Sequence, residues 1–257
     1  MSSDKWERVS VPPEESAPAA QSLEEEFDQF AEEYAAQHAR NIRVTGEEPE
    51  YFAAYKIGDV RRELIDTADR GPGLQILDFG SGVGNSVPYF RQYFPDASLL
   101  CLDVSTRSLS IAEQRFGNAA EYVHFSGSRL PVPSESIDVA FSACVFHHIA
   151  PALRAGFIKE LERVLRPGGW LFIFEHNPLN PLTVHAVNTC PFDKNARLLR
   201  ASQLRTLVKV AGLEKVRVNF RIFFPRFLSV FRVLERYLRW CPLGAQYYVV
   251  GRKREND

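Results

Sequence analysis

The stretch that most constrains the fold is residues 76–84, Ile-Leu-Asp-Phe-Gly-Ser-Gly-Val-Gly. An apolar run carries one acid, Asp78, and leads into three glycines at alternate positions, Gly80, Gly82 and Gly84. Glycine adopts positive φ angles without a steric penalty and lets a ligand approach the backbone. A strand that ends in such a loop and leads into a helix is how open α/β sheets hold nucleotide-like ligands. The loop therefore predicts a ligand site at the carboxyl edge of a parallel sheet.

From residue 74 onward, short apolar runs alternate with helical patterns. The predicted strands are 74–79, 98–103, 120–125, 137–142, 169–175, 213–220 and 245–251, and the predicted helices are 85–94, 105–116, 151–165, 201–211 and 226–240. Arg-Pro-Gly-Gly at 166–169 is interpreted as a helix stop and a turn. This alternation predicts an α/β fold, a Rossmann-like seven-stranded mostly parallel sheet with helices on both faces.

Three segments are distinguished by composition. Residues 1–21, rich in Pro, Ser, Ala and Glu, are predicted to form a disordered tail. Residues 22–70 are predicted to form an N-terminal helical lid, with one helix that Ser22 caps and that runs through Tyr34, and a second at about 50–69. Residues 71–257 form the main domain, with a substrate-covering insertion at 176–200.

Composition excludes several classes of function. The formal net charge of −1 gives no global field for binding nucleic acid. The four cysteines are widely spaced without a C-x-x-C pair, which favours free thiols in a reducing, cytoplasmic compartment over disulfides or zinc. No apolar run is long enough to span a membrane, and the N-terminus lacks the apolar region of a secretion signal.

Asp103 ends the second predicted strand, 19 residues after Gly84. A carboxylate at this place can accept hydrogen bonds from both hydroxyls of a ribose. The alternative is a cap on the next helix, a role that Ser105 already offers. Because Asn85 stands where a dinucleotide fingerprint needs glycine, a single nucleoside without a pyrophosphate fits better than a dinucleotide.

With these motifs in place, the chain resembles the class I S-adenosylmethionine-dependent methyltransferases of the small-molecule kind called methyltransferase type 11. Residues 77–84 match motif I, and Leu-Asp-Val-Ser at 102–105 matches the ribose-binding acid and its neighbour. Residues 125–131 match the adenine loop, Ser-Ala-Cys-Val-Phe-His-His at 142–148 matches motif IV, and 161–171 matches the helix-turn-strand that follows.

The resemblance implies S-adenosyl-L-methionine as the cofactor. The three glycines of the loop, Gly80, Gly82 and Gly84, would cradle its methionine part. Asp78 would fix the ammonium group, and Asp103 would hold the ribose.

Further cofactor contacts follow from the same resemblance. Val104 would pack on the adenine, and Ser128 would read its edge where the family usually has Asp. Cys144 and His147 of motif IV would border the cofactor. Tyr34, on one face of the N-terminal helix with His38, would cover it, with core packing as the alternative role.

The predicted catalytic residues follow the fourth and fifth strands. His147 is predicted to position the acceptor or act as a base, and Glu175 and His176 to bind or deprotonate the acceptor. The alternative is that these polar side chains only satisfy their loops. We predict no metal site, because nothing completes a tetrahedral ligand set around His185, Cys190 and Asp193.

Residues 226–241 combine Phe, Leu and Val with arginines at helical spacing, which predicts a basic amphipathic helix. Packing of its apolar face on the domain is the favoured interpretation. Peripheral contact with an anionic membrane is the alternative.

Taken together, the sequence predicts a methyltransferase, a monomer or homodimer, that acts on a small-molecule or lipid-linked acceptor, with oxygen as the favoured acceptor atom. Motif IV lacks the Asn/Asp-Pro-Pro-Tyr/Phe of the amino-group methylases of adenine, so nucleic acid is not expected as a partner. A non-catalytic protein that binds S-adenosylmethionine for a partner complex is the main alternative. An aminopropyl transferase is less favoured, because no acidic cluster follows motif IV.

Overall fold

A computed structural model describes residues 49–65 and 73–255. The predicted tail 1–21, the first part of the predicted lid and Tyr34 lie outside these residues. The described part of the predicted lid is helix α1, Pro49–Ile65.

The remaining elements follow the predicted alternation. The strands are β1 Gln75–Phe79, β2 Ser98–Asp103, β3 Glu121–His124, β4 Ile137–Ala143, β5 Leu165–His176, β6 Leu213–Arg221 and β7 Gln246–Lys253. The helices are α2 Val87–Tyr93, α3 Thr106–Phe116, α4 Arg154–Val164, α5 Pro181–Thr189, α6 Ala201–Val210 and α7 Glu235–Leu238. Short 3₁₀ helices cover Gly117–Ala119, Pro191–Asp193 and Arg226–Leu234. All seven predicted strands are confirmed, with ends that differ by a few residues.

The seven strands form one sheet in the order β3-β2-β1-β4-β5-β7-β6. Only β7 runs antiparallel to its neighbours, β5 and β6. The carboxyl ends of β1, β2, β4, β5 and β6 therefore meet at one edge, where β7 begins. The predicted Rossmann-like fold is confirmed, and this edge is where ligands enter such sheets.

Two buried clusters fill the two faces of the sheet. Ile57 and Val60 of α1 are fully buried in one of them, together with Ile76 and Phe90. Burying an aliphatic side chain of this size contributes about 1.5–3 kcal/mol. Helix α1 is thus part of the packed core, and this packing fixes its position relative to the sheet.

Two local predictions are wrong. Residues 166–169 are not a turn but part of β5, where Leu165 pairs with Ile137 and Trp170 with Val139 across a register shift. Gly168, with φ of 72°, allows the irregularity without ending the strand.

The predicted continuous helix 226–240 is also wrong. The segment is a 3₁₀ helix with non-helical angles at Leu228, followed by the four-residue helix α7. Its β-branched and aromatic residues have modest helix propensity, and none of Arg226–Leu234 is buried, so packing does not compensate.

Candidate active site

The glycine loop after β1 is held against the end of β2. The N–H groups of Gly80 and Ser81 donate to the carbonyl oxygen of Leu102 at 2.8 and 3.1 Å. A Cβ on Gly80 would lie 2.3 Å from a methyl carbon of Val145, so only glycine fits there. A Cβ on Gly82, at φ 52°, would meet no atom of the described residues within 4 Å. The loop therefore offers open backbone surface at Gly82.

Asp103 organises this loop. Its Oδ2 accepts the N–H of Gly82 at 2.7 Å, and its Oδ1 accepts the N–H of Ser105 at 2.9 Å. Burial raises the pKa of the carboxyl, while these N–H groups lower it. An ionised carboxylate has about four lone-pair sites, so acceptor capacity remains for hydroxyl groups of a ligand.

Asp78 is 2% exposed at the end of β1, and its Oδ2 has no hydrogen-bond partner among the described residues. Burial, together with the charge of Asp103, raises its pKa to about 7, although the cation Lys56 opposes the shift. A buried acceptor of this kind is costly unless a donor pairs with it. The position therefore suits a cationic or N–H group of a ligand.

The two residues predicted to contact adenine differ in burial. Val104 is partly buried and packs against the core next to Asp103. Ser128 is exposed in the bend that follows β3. Their contacts with adenine remain predictions.

A buried cation faces the end of β4. Lys56 of α1 is 7% exposed, and its Nζ donates to Sγ of Cys144 at 3.5 Å. Burial raises the pKa of the Cys144 thiol, but Lys56 and His176 outweigh it and lower the pKa to about 6. Cys144 has a φ of 60°, unusual for a residue with a side chain. The resemblance assigned this cysteine to the cofactor border, and its lowered pKa favours the thiolate form at neutral pH.

The Lys56–Cys144 contact predicts that Cys144 is alkylated at an unusually low pH. We expect iodoacetamide to modify Cys144 with a midpoint near pH 6, because only the thiolate reacts. In Lys56→Met the midpoint should move toward the ordinary thiol value of 9.0, and the rate at pH 7 should fall about tenfold. Peptide mass spectrometry assigns the modified cysteine. Lys159→Met, which removes a 64% exposed ammonium, is the control and should change nothing. A wild-type midpoint at pH 8 or above would contradict this assignment.

Glu175 and His147 form a buried pair at the ends of β5 and β4. Glu175 is 0% exposed, accepts the N–H of Phe146 at 2.8 Å and binds His147 Nδ1 at 2.6 Å. Burial lowers the pKa of His147, but Glu175 and Asp193 outweigh it and raise the pKa to about 10. An imidazole that is already protonated cannot accept a proton. The geometry thus favours the positioning role predicted for His147 over the base role.

Asp193, from the 3₁₀ helix in the insertion, lies between two imidazoles. Its Oδ1 is 3.5 Å from His147 Nε2 and 3.4 Å from His148 Nε2. Burial and the charge of His147 lower the pKa of His148 to about 3, so this ring is neutral. Ligand atoms of the three residues lie within 4.8 Å of one another, which is close enough for a metal ion. A carboxylate shared by one charged and one neutral imidazole accounts for the same distances, and the absence of a metal stays a prediction.

His176 links the site to the first residues of β7. Its Nδ1 lies 3.4 Å from Nε2 of Gln246, whose Oε1 accepts the hydroxyl of Tyr55. Burial lowers the pKa of His176, but the Cys144 thiolate outweighs it and raises the pKa. His176 and Cys144 are thus a coupled imidazole–thiol pair beside α1.

The sequence missed several residues of this site. Lys56 carried a signal, since Phe52, Lys56 and Val60 are spaced four apart on one helix face and all three are buried. Asp193 was singled out only as a possible metal ligand, and Gln246 carried no signal, because both reach the site only through the tertiary fold.

The family comparison agrees with this geometry. Residues 77–173 match the family Methyltransf_11, described as a methyltransferase domain. The match begins in β1 and ends within β5, so it contains the glycine loop, Asp103 and motif IV.

Curated relatives are methyltransferases as well. The chain is 27% identical over 139 residues to the ubiquinone/menaquinone biosynthesis C-methyltransferase UbiE of Hahella chejuensis, covering 51% of this chain and 55% of that protein. It is 26% identical over 186 residues to the phthiotriol/phenolphthiotriol dimycocerosates methyltransferase 1 of Mycobacterium ulcerans, covering 68% of this chain and 67% of that protein. The match thus spans about half of the length of the first of these relatives.

Solved structures share the fold. An S-adenosylmethionine-dependent methyltransferase of Thermotoga maritima, titled a possible histamine N-methyltransferase, aligns with a TM-score of 0.61 at 20% identity over 90% of this chain and all of that chain. The Haemonchus contortus phosphoethanolamine N-methyltransferase 2 with bound S-adenosyl-L-methionine aligns with a TM-score of 0.56 at 17% identity, over 89% of this chain and 60% of that chain. The chain therefore has the fold of the class I S-adenosylmethionine-dependent methyltransferases, and residues 77–173 match a methyltransferase domain, as its motifs predicted.

Proposed function

We propose that the protein transfers the methyl group of S-adenosyl-L-methionine to a small-molecule or lipid-linked acceptor, with oxygen as the acceptor atom. The observation that carries the proposal is the arrangement at the ends of β1 and β2. There three groups lie at one edge of the sheet: the Oδ2 of Asp78, which has no hydrogen-bond partner among residues 49–65 and 73–255, the open backbone at Gly82 and the carboxylate of Asp103.

These residues fit the cofactor group by group. Asp78 would pair with the ammonium, the backbone of Gly82 would lie along the methionine part, and Asp103 would accept the ribose hydroxyls. The bound sulfonium supplies an already activated methyl group. The protein's own task is then to align the acceptor and exclude water.

The residues beside α1 supply the acceptor side of the site in this proposal. Lys56, Cys144 and His176 are buried or half-buried at the ends of β4 and β5. A hydroxyl acceptor must lose a proton, and a group with a pKa near the working pH serves best as its acceptor. The Cys144 thiol, with a pKa of about 6, meets this condition, whereas the protonated His147 does not.

Two observations support this class of acceptor: the side chains around the candidate site and the relatives of the chain. The Tyr55 ring lies 6.2 Å from the Phe174 ring, edge to face, beside these polar groups. The relatives named above are a C-methyltransferase of ubiquinone/menaquinone biosynthesis and a dimycocerosates methyltransferase. The molecules in both names are apolar. We therefore favour an acceptor with an apolar body and one hydroxyl group.

The raised pKa of Asp78 predicts a pH dependence of cofactor binding. Below its pKa of about 7 the carboxyl is protonated and cannot pair with an ammonium, so the binding-competent fraction falls. We expect the Kd of S-adenosylhomocysteine, measured by calorimetry, to rise about tenfold between pH 8 and pH 6. Asp78→Asn should bind weakly at both pH values, while Asp96→Asn, at an exposed position, should keep the wild-type profile. A flat wild-type profile would contradict the role of Asp78.

A transfer assay separates an enzyme from a non-catalytic binding protein. The protein is incubated with methyl-labelled S-adenosylmethionine and with separate aqueous and organic extracts of small molecules, and label in each fraction is counted. We expect label in the organic fraction, lost in Asp103→Ala. Saturable binding with no label transferred to either fraction would favour the non-catalytic alternative.

A further inference from the structure

Apolar side chains are concentrated on one exposed surface. The structure describes twelve exposed large hydrophobic side chains, and ten of them lie in 179–182 and 227–243. These ten are Leu179, Leu182, Phe227, Val230, Phe231, Val233, Leu234, Tyr237, Trp240 and Leu243. We call residues 226–243, with Leu179 and Leu182, the C-terminal apolar surface.

The two parts of this surface are fixed to each other. Asn180 Nδ2 donates to the Leu243 carbonyl at 2.8 Å, and Thr183 Oγ1 donates to the Ala245 carbonyl at 2.9 Å. The exposure is extensive, with Phe227 at 80% and Trp240 at 76%. Soluble monomers rarely expose apolar patches of more than a few hundred Å² without a partner.

The segment contributes little to the core of its own domain. None of Arg226–Leu234 is buried, whereas the apolar positions of α6, Ala201, Leu204 and Val208, are all buried. The predicted packing of the apolar face of 226–241 on the domain is therefore wrong. An amphipathic segment whose apolar side is exposed to solvent is expected to bind another surface.

The charge of the C-terminal apolar surface indicates what kind of partner it binds. Residues 222–245 contain four arginines, at 226, 232, 236 and 239, and a single acid, Glu235. Glu235 is 5% exposed, accepts the Phe223 N–H at 3.0 Å and lies 3.6 Å from Arg221, so it does not neutralise the exterior. Arg226 and Arg236 are exposed and Arg232 and Arg239 are half-buried, so the exposed face is basic as well as apolar.

Buried ion pairs fix this surface beside the candidate site. Arg221 lies between Glu235 and Asp59 of α1, with its Nε 2.7 Å from Asp59 Oδ2 and its guanidinium over the ring of Tyr55. The surface therefore lies at the edge of the sheet where β6 ends, beside Asp59 and Tyr55 of α1.

From this arrangement we infer that the C-terminal apolar surface docks on an anionic lipid membrane. Trp, Tyr and Phe interleaved with Arg are the side chains that settle at a lipid interface, with rings at the headgroup level and cations at lipid phosphates. A second copy of the chain is a poorer occupant, because a two-fold contact through the same patch would set the arginines of both copies against each other. None of the described helices is long and apolar enough to cross a membrane, so this contact is peripheral.

The test is flotation of the full chain with vesicles of phosphatidylcholine containing phosphatidylglycerol. No S-adenosylmethionine is present, so the result does not depend on the proposed methyl transfer. We expect co-flotation with anionic vesicles, at least tenfold weaker binding to pure phosphatidylcholine, and loss of binding when salt is raised to about 1 M, where charges are screened within about 3 Å.

Matched variants locate the contact. Trp240→Asp and Phe227→Asp should each weaken vesicle binding at least tenfold, and Arg236→Glu should weaken it several-fold. Val210→Asp, which changes a 78% exposed side chain outside the surface, and Arg205→Glu, at an exposed position on α6, should bind as the wild type does. All these positions are exposed, so folding is expected to persist and is checked by circular dichroism.

Three results would overturn the inference. The first is that the protein does not float with anionic vesicles, and the second is that it binds neutral and anionic vesicles equally. The third is that Val210→Asp weakens vesicle binding as much as Trp240→Asp does. A dimer in sedimentation that Trp240→Asp dissociates, with no vesicle binding, would assign the surface to a second copy instead.

Discussion

Replacement of Asp103 by Ala is expected to weaken binding of S-adenosylhomocysteine at least tenfold, measured by calorimetry at pH 8. The carboxylate is proposed to hold the ribose hydroxyls, and a hydrogen bond to a charged group contributes about 1.5–3 kcal/mol, which is about 10- to 150-fold in Kd. The change also acts through the protein. The N–H groups of Gly82 and Ser105 lose their acceptor, so the glycine loop loses its fixed shape.

The same variant should also be less stable. Each N–H left without an acceptor costs about 1–3 kcal/mol if water does not reach it. Asp103→Asn keeps one acceptor oxygen and should lie between Ala and the wild type in both Kd and the free energy of unfolding. Asp96→Asn is the matched control at an exposed carboxylate. Wild-type affinity in a folded Asp103→Ala protein would refute the ribose role.

Replacement of Glu175 by Gln is expected to have the largest effect on stability. It removes one partner of a pair in which His147 is 1% exposed and Glu175 is 0% exposed. Breaking a buried pair from one side typically costs about 3–5 kcal/mol, because the remaining charge stays buried. Urea unfolding at pH 6.5 measures this loss. Glu214→Gln, which breaks the exposed pair with Arg254, should cost less than about 1 kcal/mol.

The pH profile distinguishes this pair from simple packing. Because the pKa of His147 is raised from 6.5 to about 10, its contribution is fully present below pH 6.5 and is lost as the pH rises through 10. The pKa of Glu175 is lowered, so its contribution is present above its ordinary value of 4.5 and is lost as the pH falls. The stability difference between the wild type and Glu175→Gln should therefore be largest between pH 4.5 and 6.5 and shrink toward pH 10. A difference that does not change with pH would mean that His147 is neutral.

Much of the framework was predictable because it is encoded locally. The apolar run into Gly80, the acid at Asp103 and the alternation of strand and helix patterns are read within windows of a few residues. They predicted every strand and the edge at which the site lies. Local patterns were misleading at 166–169 and at 226–240, where pairing with β4 and the lack of a buried face decided the conformation.

The sequence predicted the glycine loop, Asp103 and the polar residues that follow β4 and β5, but not the residues of other elements that contact them. The glycine loop and Asp103 come from adjacent strands and carry a motif. The polar group beside α1 combines Lys56 of α1, Cys144 directly after β4 and Gln246 of β7, which are separated by up to 190 residues in sequence. No spacing along the chain indicates that such residues meet.

The sequence by itself determined the sheet, the glycine loop and the class of domain, because backbone conformation and apolar periodicity are properties of neighbouring residues. Only the tertiary structure decided which charges lie together and which apolar faces stay uncovered. Lys56 lowers the pKa of Cys144 and Glu175 raises that of His147 because burial strengthens interactions that no spacing encodes. The apolar face of 226–243 was visible in the sequence. Its exposure was not, because exposure depends on which other described elements pack against it.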